Sequence, residues 1–440
     1  MPVNSYLTSR PRATIPRLIA RLMAGLAIAG WVPGTGAASP ATDAPAASSA
    51  TGPVGSVVAI GGALRYDEPA VWSRLVALAG GAGSRFVVFA TAAEDPARSA
   101  ARASSALEAH GARVEHIPVA PRLPGIDVVQ AVRDPAFLAR VRAARGVFFT
   151  GGAQERIVDT LQPGGQPTPM LEAIRGVLAR GGVVAGTSAG AAVLSGIMFR
   201  DATDVVAVLR GVLRDGEEID HGLGLVAPGL FVDQHFLARG RLGRMLPLMQ
   251  SRGLQLGIGV EENSAAILRG RELEVVGEGG ALIVDLVDAT TDAGQGAFNI
   301  AGVRLTYLGD GDRFDLRTRA PTPSSLKLQG SLVDPRAAGF QPSLEAEPFL
   351  LDVLADGAVL RAMTGVLDGP SAEVRGLAFD GGSDAAPPRD LGFEFRFYRG
   401  ADTLGWYTSG SGQDAYTIAN VRLDVAPVRV VQPLYRSWQP

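Results

Sequence analysis

Ser188 stands between Gly186 and Gly190 in the run Gly182-Val183-Val184-Ala185-Gly186-Thr187-Ser188-Ala189-Gly190-Ala191. Glycines two residues to either side let the chain turn sharply from a β-branched strand into a small-residue helix. That turn leaves the serine hydroxyl exposed at its apex. A hydroxyl so placed is a candidate nucleophile, and the first N–H groups of the following helix would face negative charge developing on a substrate oxygen. Glycine makes up 56 of the 440 residues, so Gly-x-Ser-x-Gly alone carries little weight. The strand before it and the helix after it are what give it weight.

A serine nucleophile needs a base, and the base needs an orienting partner. The chain has 4 histidines, His110, His116, His221 and His235. His110 ends a helix pattern, where a cation complements the helix dipole. His116 lies in an apolar strand, and His221 in the glycine-containing loop Asp220-His221-Gly222. His235 sits in the polar cluster Asp233-Gln234-His235-Phe236, just before Arg239, Arg241 and Arg244. These arginines read either as a solvated helix face or as planar forks for carboxylates. Gly151-Gly152 reads either as a plain turn or as backbone N–H groups brought close to an oxyanion. No histidine follows residue 235, which fits poorly with the α/β-hydrolase order, in which the histidine comes last.

Composition narrows the field. Hydrophobic residues are 47% and charged residues 19%, as in a folded protein with a large core. The net charge of −3 gives no reason to expect a nucleic-acid partner. There is no cysteine, so disulfides, thiolate nucleophiles and cysteine-bound zinc are excluded. With no His-Glu-x-x-His pattern either, neither a metal nor another cofactor is expected.

The elements that must position these residues follow in chain order. Residues 1–38 read as an export signal, with Arg10, Arg12, Arg17 and Arg21 before a short apolar stretch and Gly36-Ala37-Ala38 as a cleavage site. This implies a secreted protein without a stable membrane anchor. Residues 39–53 are rich in Ala, Ser, Pro and Thr and read as a linker. Strands at 56–60, 85–90, 114–119 and 146–150 then alternate with helices at 70–78, 96–110, 135–144 and 170–180. Such alternation predicts an α/β domain with a parallel sheet covered on both faces, and a site beyond the C-terminal strand ends. Gly61-Gly62, Gly151-Gly152 and Ser188 all fall at such ends. Residues 320–325 read as a linker and residues 349–361 as a helix. Phe393, Phe395 and Phe397 alternate with polar residues as a half-buried strand. Residues 330–440 are therefore expected to form a small, β-rich C-terminal domain of their own.

Taken together, four motifs carry a resemblance. Gly-Thr-Ser188-Ala-Gly-Ala, Phe148-Phe149-Thr150-Gly151-Gly152-Ala153-Gln154-Glu155-Arg156-Ile157, Asp233-Gln234-His235-Phe236 with its arginines, and Gly257-Ile258-Gly259-Val260-Glu261-Glu262 occur in one order. This set resembles the cyanophycinases, serine peptidases related to aspartyl dipeptidase (peptidase E), over residues 54–320. The resemblance implies a flavodoxin-like, class I glutamine amidotransferase-like, doubly wound and mainly parallel sheet. It implies hydrolysis of cyanophycin, a poly-aspartate with arginine on its side-chain carboxyls, to β-Asp-Arg dipeptides. Carried over by motif, Ser188 is the nucleophile, His235 the base and Glu262 its orienting carboxylate. Gly151, Gly152 and Ala189 would supply the oxyanion hole. Gln154, Asp233, Gln234, Arg239, Arg241 and Arg244 would bind substrate. A homodimer is also implied. Three positions depart from the family pattern. Ala63-Leu64 follows Gly61-Gly62 where an acid is common, Ala153 follows Gly151-Gly152 where Asp is common, and Glu261 stands where Asp is usual. A related aspartyl or isoaspartyl dipeptidase, or a non-catalytic binding protein on the same fold, are the other readings.

Overall fold

The computed structural model describes residues 55–431, except 381, 383–387, 411 and 413, together with 433 and 437. The export signal read over 1–38 and the linker over 39–53 lie outside the described residues. In chain order the strands are β1 (Ser56–Ile60), β2 (Arg85–Phe89), β3 (Arg113–His116), β4 (Gly146–Phe149), β5 (Val183–Thr187), β6 (Ile197–Phe199), β7 (Ile219–His221), β8 (Leu230–Gln234), β9 (Leu256–Val260) and β10 (Ser264–Arg269). They continue with β11 (Glu272–Gly277), β12 (Ala281–Asp285), β13 (Ile300–Leu308), β14 (Arg313–Asp315), β15 (Ala320–Thr322), β16 (Ser331–Val333), β17 (Phe349–Leu350), β18 (Glu373–Ala378), β19 (Leu391–Thr408) and β20 (Ala415–Arg429).

The first sheet has 9 strands in the order β15-β14-β11-β10-β1-β5-β4-β2-β3. Its β1, β5, β4, β2 and β3 run parallel, and β10, β11, β14 and β15 extend it antiparallel. The sheet is therefore mixed, which corrects the mainly parallel expectation. Its strands alternate between two cores. Val57 and Ala59 face one, while Val58 and Ile60 face the other beneath the helices Pro69–Leu78 and Pro96–Ala109. The helix starts follow from local chemistry. Asp95, Asp134 and Thr168 each accept a backbone N–H of the first turn, and each is followed by a proline, whose missing N–H costs nothing there.

The second sheet was not anticipated. It has 9 strands, ordered β17-β18-β19-β20-β13-β12-β9-β8 with β16 against β19. The C-terminal strands are thus built into the same sheet as β8 and β9, which corrects the expectation of a separate domain over 330–440. Phe393, Phe395 and Phe397 share one core with Leu282 and Val284 of β12 and with Met245 and Leu246 of the helix Leu242–Ser251. Residues 320–322, read as a linker, form edge strand β15 on β14, a place where Pro321 leaves no inner ladder unpaired. The helix read over 349–361 is instead Ala358–Asp368, preceded by β17. The apolar run 349–354 serves a sheet edge, and Gly357, at φ 67°, sets the helix start. Lys327, the one lysine of the chain, is buried against Asp312, whose carboxylate also accepts from Thr417 on β20.

Candidate active site

The site forms where the ends of the two sheets meet. β5 of the first sheet delivers Ser188 at φ 52°, in the left-handed region. The flanking glycines are sterically required. A Cβ on Gly186 would lie 2.0 Å from the Gly190 carbonyl oxygen, and one on Gly190 would lie 2.6 Å from that of Phe149. β8 and β9 of the second sheet are parallel neighbours, with Gln234 opposite Val260. The residues just beyond their ends are therefore neighbours too, which brings His235 beside Glu262 across 27 positions.

Ser188 Oγ lies 2.9 Å from His235 Nε2, and His235 Nδ1 is hydrogen-bonded to Glu262 Oε1. The adjacent Glu261 does a different job. Its carboxylate accepts from the amides of Leu237, of Ala238 at 3.0 Å and of Glu262 at 2.7 Å, tying together the two loops that carry His235 and Glu262. Burial pushes the Glu261 carboxyl above its ordinary range. His235 has φ 47° and donates its amide to Gly61 O at 2.6 Å. Burial holds its imidazole below the ordinary histidine value against the opposing pull of Glu262, with Arg239 and Arg241 reinforcing the depression. His235 is thus neutral near pH 7, the form able to accept a proton.

Gly151 presents bare backbone to Ser188, since a Cβ there would lie 3.1 Å from Ser188 Cβ. Gly152, at φ 141°, packs so closely on Ala92 that a Cβ would fall 2.0 Å from its carbonyl oxygen. Ser188's own amide is used by Ile60 O at 3.0 Å, so it is not free for a substrate oxygen. The amides of Gly151, Gly152 and Ala189 have no such partner among the described residues.

Several residues expected to line a substrate pocket are otherwise engaged. Asp233 and Arg244 are almost fully buried and joined by two bonds of 2.8 and 2.6 Å. Arg244 also donates to Ala202 O and lies 4.3 Å over the Phe199 ring. Arg241 is buried, donates to Gln234 O at 2.7 Å, and burial lowers its pKa to about 10. Burial alone would raise the Asp233 carboxyl, but Arg244 and Arg241 outweigh it and hold the group below its ordinary value. These three brace the turn after β8 from within. Gln154 donates to the carbonyls of Phe199 and Arg200, at 3.0 and 2.8 Å. Gln234 is buried with its Oε1 unpartnered. Arg239 alone of the three arginines is exposed. Sequence reasoning missed Asn263, at φ 53°, whose amide donates to Gly62 O at 2.9 Å and whose side chain bonds Glu68 and Glu278. Its position directly after Glu262 was the available signal. Among the described residues no cluster of His, Cys, Asp or Glu is placed to hold a metal ion. No described helix is long and apolar enough to cross a membrane.

A hydroxyl, an imidazole and a carboxylate in series can activate serine for attack on a carbonyl. Comparison with known proteins agrees with the motif reading, as the model of peptidase family S51 matches residues 57–276. The chain belongs to peptidase family S51. The cyanophycinase of Trichormus variabilis is 37% identical over 194 residues, which are 42% of this chain and 62% of that protein. The chain thus spans less than two thirds of that relative. The cyanophycinase of Geminocystis herdmanii is 30% identical over 275 residues, 60% of this chain and 95% of its own. Among solved structures, a peptidase from an acI-B1 actinobacterium superposes with TM-score 0.41 at 23% identity, covering 52% of this chain and 90% of its own. A putative peptidase E from Listeria monocytogenes EGD-e gives TM-score 0.36 at 15% identity, covering 51% and 98%. In this S51 chain the family match ends at β11, so β12 to β20 lie beyond it.

Proposed function

We propose that this S51 chain is a serine-type peptidase that degrades cyanophycin to β-Asp-Arg dipeptides. In this reading the Ser188 hydroxyl donates to His235 Nε2 and attacks the scissile carbonyl as His235 takes its proton. Glu262 holds the imidazole in the tautomer with Nδ1–H and stabilises the charge it gains. The oxyanion of the tetrahedral intermediate is met by the amides of Ala189 and of Gly151 or Gly152. Collapse expels the amine, which takes the proton back from His235, and leaves an acyl group on Ser188. Water, deprotonated by the same imidazole, then releases the acid product.

The observation that carries this reading is the relay itself, with Ser188 Oγ 2.9 Å from an imidazole whose other nitrogen is bonded to a carboxylate. Likeness to cyanophycinases supports the choice of substrate. The segment 1–38 further supports export, which suits attack on an insoluble polymer outside the cell. The test is incubation with a cyanophycin suspension followed by mass analysis of the soluble fraction. Clearing with release of β-Asp-Arg by the wild type, and none by Ser188→Ala, is expected; an intact polymer rejects the substrate. A related aspartyl or isoaspartyl dipeptidase is the second reading, favoured by Leu64 and Ala153 where the family carries acids. It predicts faster cleavage of free β-aspartyl dipeptides than of polymer.

A further inference from the structure

A pocket of about 240 Å³ opens beside the Ser188 hydroxyl, between the loop after β1 and the end of β4. Its rim is Thr187, Ser188 and Gly151, so whatever group flanks a carbonyl attacked by Ser188 has this pocket within reach. Its walls come from Leu64, Tyr66, Trp72 and Phe148. Trp72 and Phe148 are each 1% exposed and pack with ring centroids 5.2 Å apart. Tyr66 stacks on Trp72 and is half exposed at the mouth. The Trp72 indole N–H is already donated to Arg65 O at 2.9 Å, leaving its face as what it offers. The polar groups on the wall are the hydroxyls of Tyr66, Ser99 and Thr150. Thr150 is 6% exposed, and its Oγ1 has no partner.

None of the residues lining the pocket is a carboxylate. The acids of the neighbouring loop are engaged elsewhere. Glu68 accepts from Arg65, Asn263 and the Ala70 amide, and Glu278 accepts from Arg65 and Asn263. Asp67 is exposed and faces Arg65. The charge that does approach is positive, as the Arg102 guanidinium lies 5.8 Å from the centre of the Tyr66 ring. A cation buried between aromatic and aliphatic walls without a counter-charge loses its hydration uncompensated. A long cationic side chain can still lie against such walls by its methylene stem while its head stays in water at the open mouth. A hydroxyl with a free lone pair and a free proton serves a neutral head group equally well.

We propose that this pocket receives the substrate branch next to the scissile carbonyl and reads it by apolar and aromatic contact, without selecting for positive charge. The inference rests on Ser188 hydrolysis of β-aspartyl chains and adds that the branch need not be arginine. A pocket of this kind accepts uncharged branches that a carboxylate-lined one would refuse.

The test uses two synthetic β-aspartyl oligomers that differ only in the branch, one carrying arginine and the other citrulline, its uncharged isostere. kcat/KM is measured for both on the full chain and on Leu64→Glu, a half-buried position at the pocket wall. For the wild type the citrulline form is expected to be cleaved at least as well as the arginine form. For Leu64→Glu the arginine-to-citrulline ratio is expected to rise by about tenfold or more, because the added carboxylate pairs with a guanidinium. Labelling of Ser188 by a serine-directed phosphonate shows that the variant is folded. A wild-type preference for arginine above about threefold, or a ratio unmoved in the labelled variant, overturns the proposal. Failure to cleave either oligomer, with Ser188 unlabelled in the wild type, instead overturns the hydrolytic reading and the pocket's role with it.

Discussion

Gly62 is the position where one methyl group should silence the site and leave the fold standing. A Cβ there would lie 2.2 Å from both Cε1 and Nε2 of His235 and 2.9 Å from Cδ2. Carbon atoms in contact settle near 3.5 Å, so in Gly62→Ala the ring must retreat by more than about 1 Å. It cannot do so freely, because Nδ1 is held by Glu262 and the backbone N of His235 by Gly61. The 2.9 Å spacing to Ser188 then opens to about 4 Å, beyond hydrogen-bond range. Loss of general-base catalysis should lower kcat by about 10²- to 10⁴-fold. Gly62 also has φ 104°, which adds about 1–2 kcal/mol of backbone strain for alanine. Gly80 separates the two effects. Its φ is 111°, and a Cβ there meets nothing within 4 Å. Gly80→Ala should therefore lose similar stability in a thermal melt and keep full activity. A Gly62→Ala enzyme with kcat within about threefold of wild type would refute the argument, as would an equal loss in Gly80→Ala.

Because burial, with Arg239 and Arg241, holds His235 below its ordinary value of 6.5, its neutral form persists into mild acid. The acid limb of kcat/KM should fall below pH 6.5, and Arg239→Gln, which removes one of the depressing charges, should move it upward. His116 is likewise depressed by burial. Below about pH 6.5 the unfolded chain takes up protons that these folded histidines refuse, so their contribution to the denaturant midpoint should be constant from that pH through neutrality and decline below it. Glu262→Gln should reduce kcat by about 10³- to 10⁴-fold with little change in KM, measured at the wild-type pH optimum, since the carboxylate acts on the charge that His235 gains. Asp233→Asn leaves the Arg244 guanidinium buried without a counter-charge and should cost about 3 kcal/mol in urea unfolding. An unchanged midpoint would mean that the arginine swings out to solvent.

The strands β1, β2 and β5 were legible almost to the residue, because each is a continuous apolar run with glycine beyond its end or at its approach. The helices after Asp95, Asp134 and Thr168 were legible because a cap and a proline announce them. Pairing between strands was not. The pattern at 230–234 and 256–260 resembles any buried strand, and nothing local says that it leaves the first sheet for a second. The alternation of Phe393, Phe395 and Phe397 revealed a one-sided strand but not the partner that covers it. At the site, residue types were readable and engagements were not. Arg241 and Arg244 look equally suited to a ligand carboxylate and to Asp233, and only the fold shows that Asp233 takes both. Which of Glu261 and Glu262 meets the imidazole depends on the alternation of side chains past the end of β9. The pocket walls come from the loop after β1, the helix Pro69–Leu78 and β4, a meeting that no single stretch of sequence announces.

The central claim is that the Ser188 oxygen is the atom that becomes acylated, with His235 removing its proton. Acid-quenching the enzyme during turnover and mapping the substrate-derived mass increment by peptide mass spectrometry tests this directly. The increment should appear on the peptide containing Ser188, and should be absent from Ser188→Ala and from His235→Gln. An increment on another residue, or turnover that continues in Ser188→Ala, would contradict it.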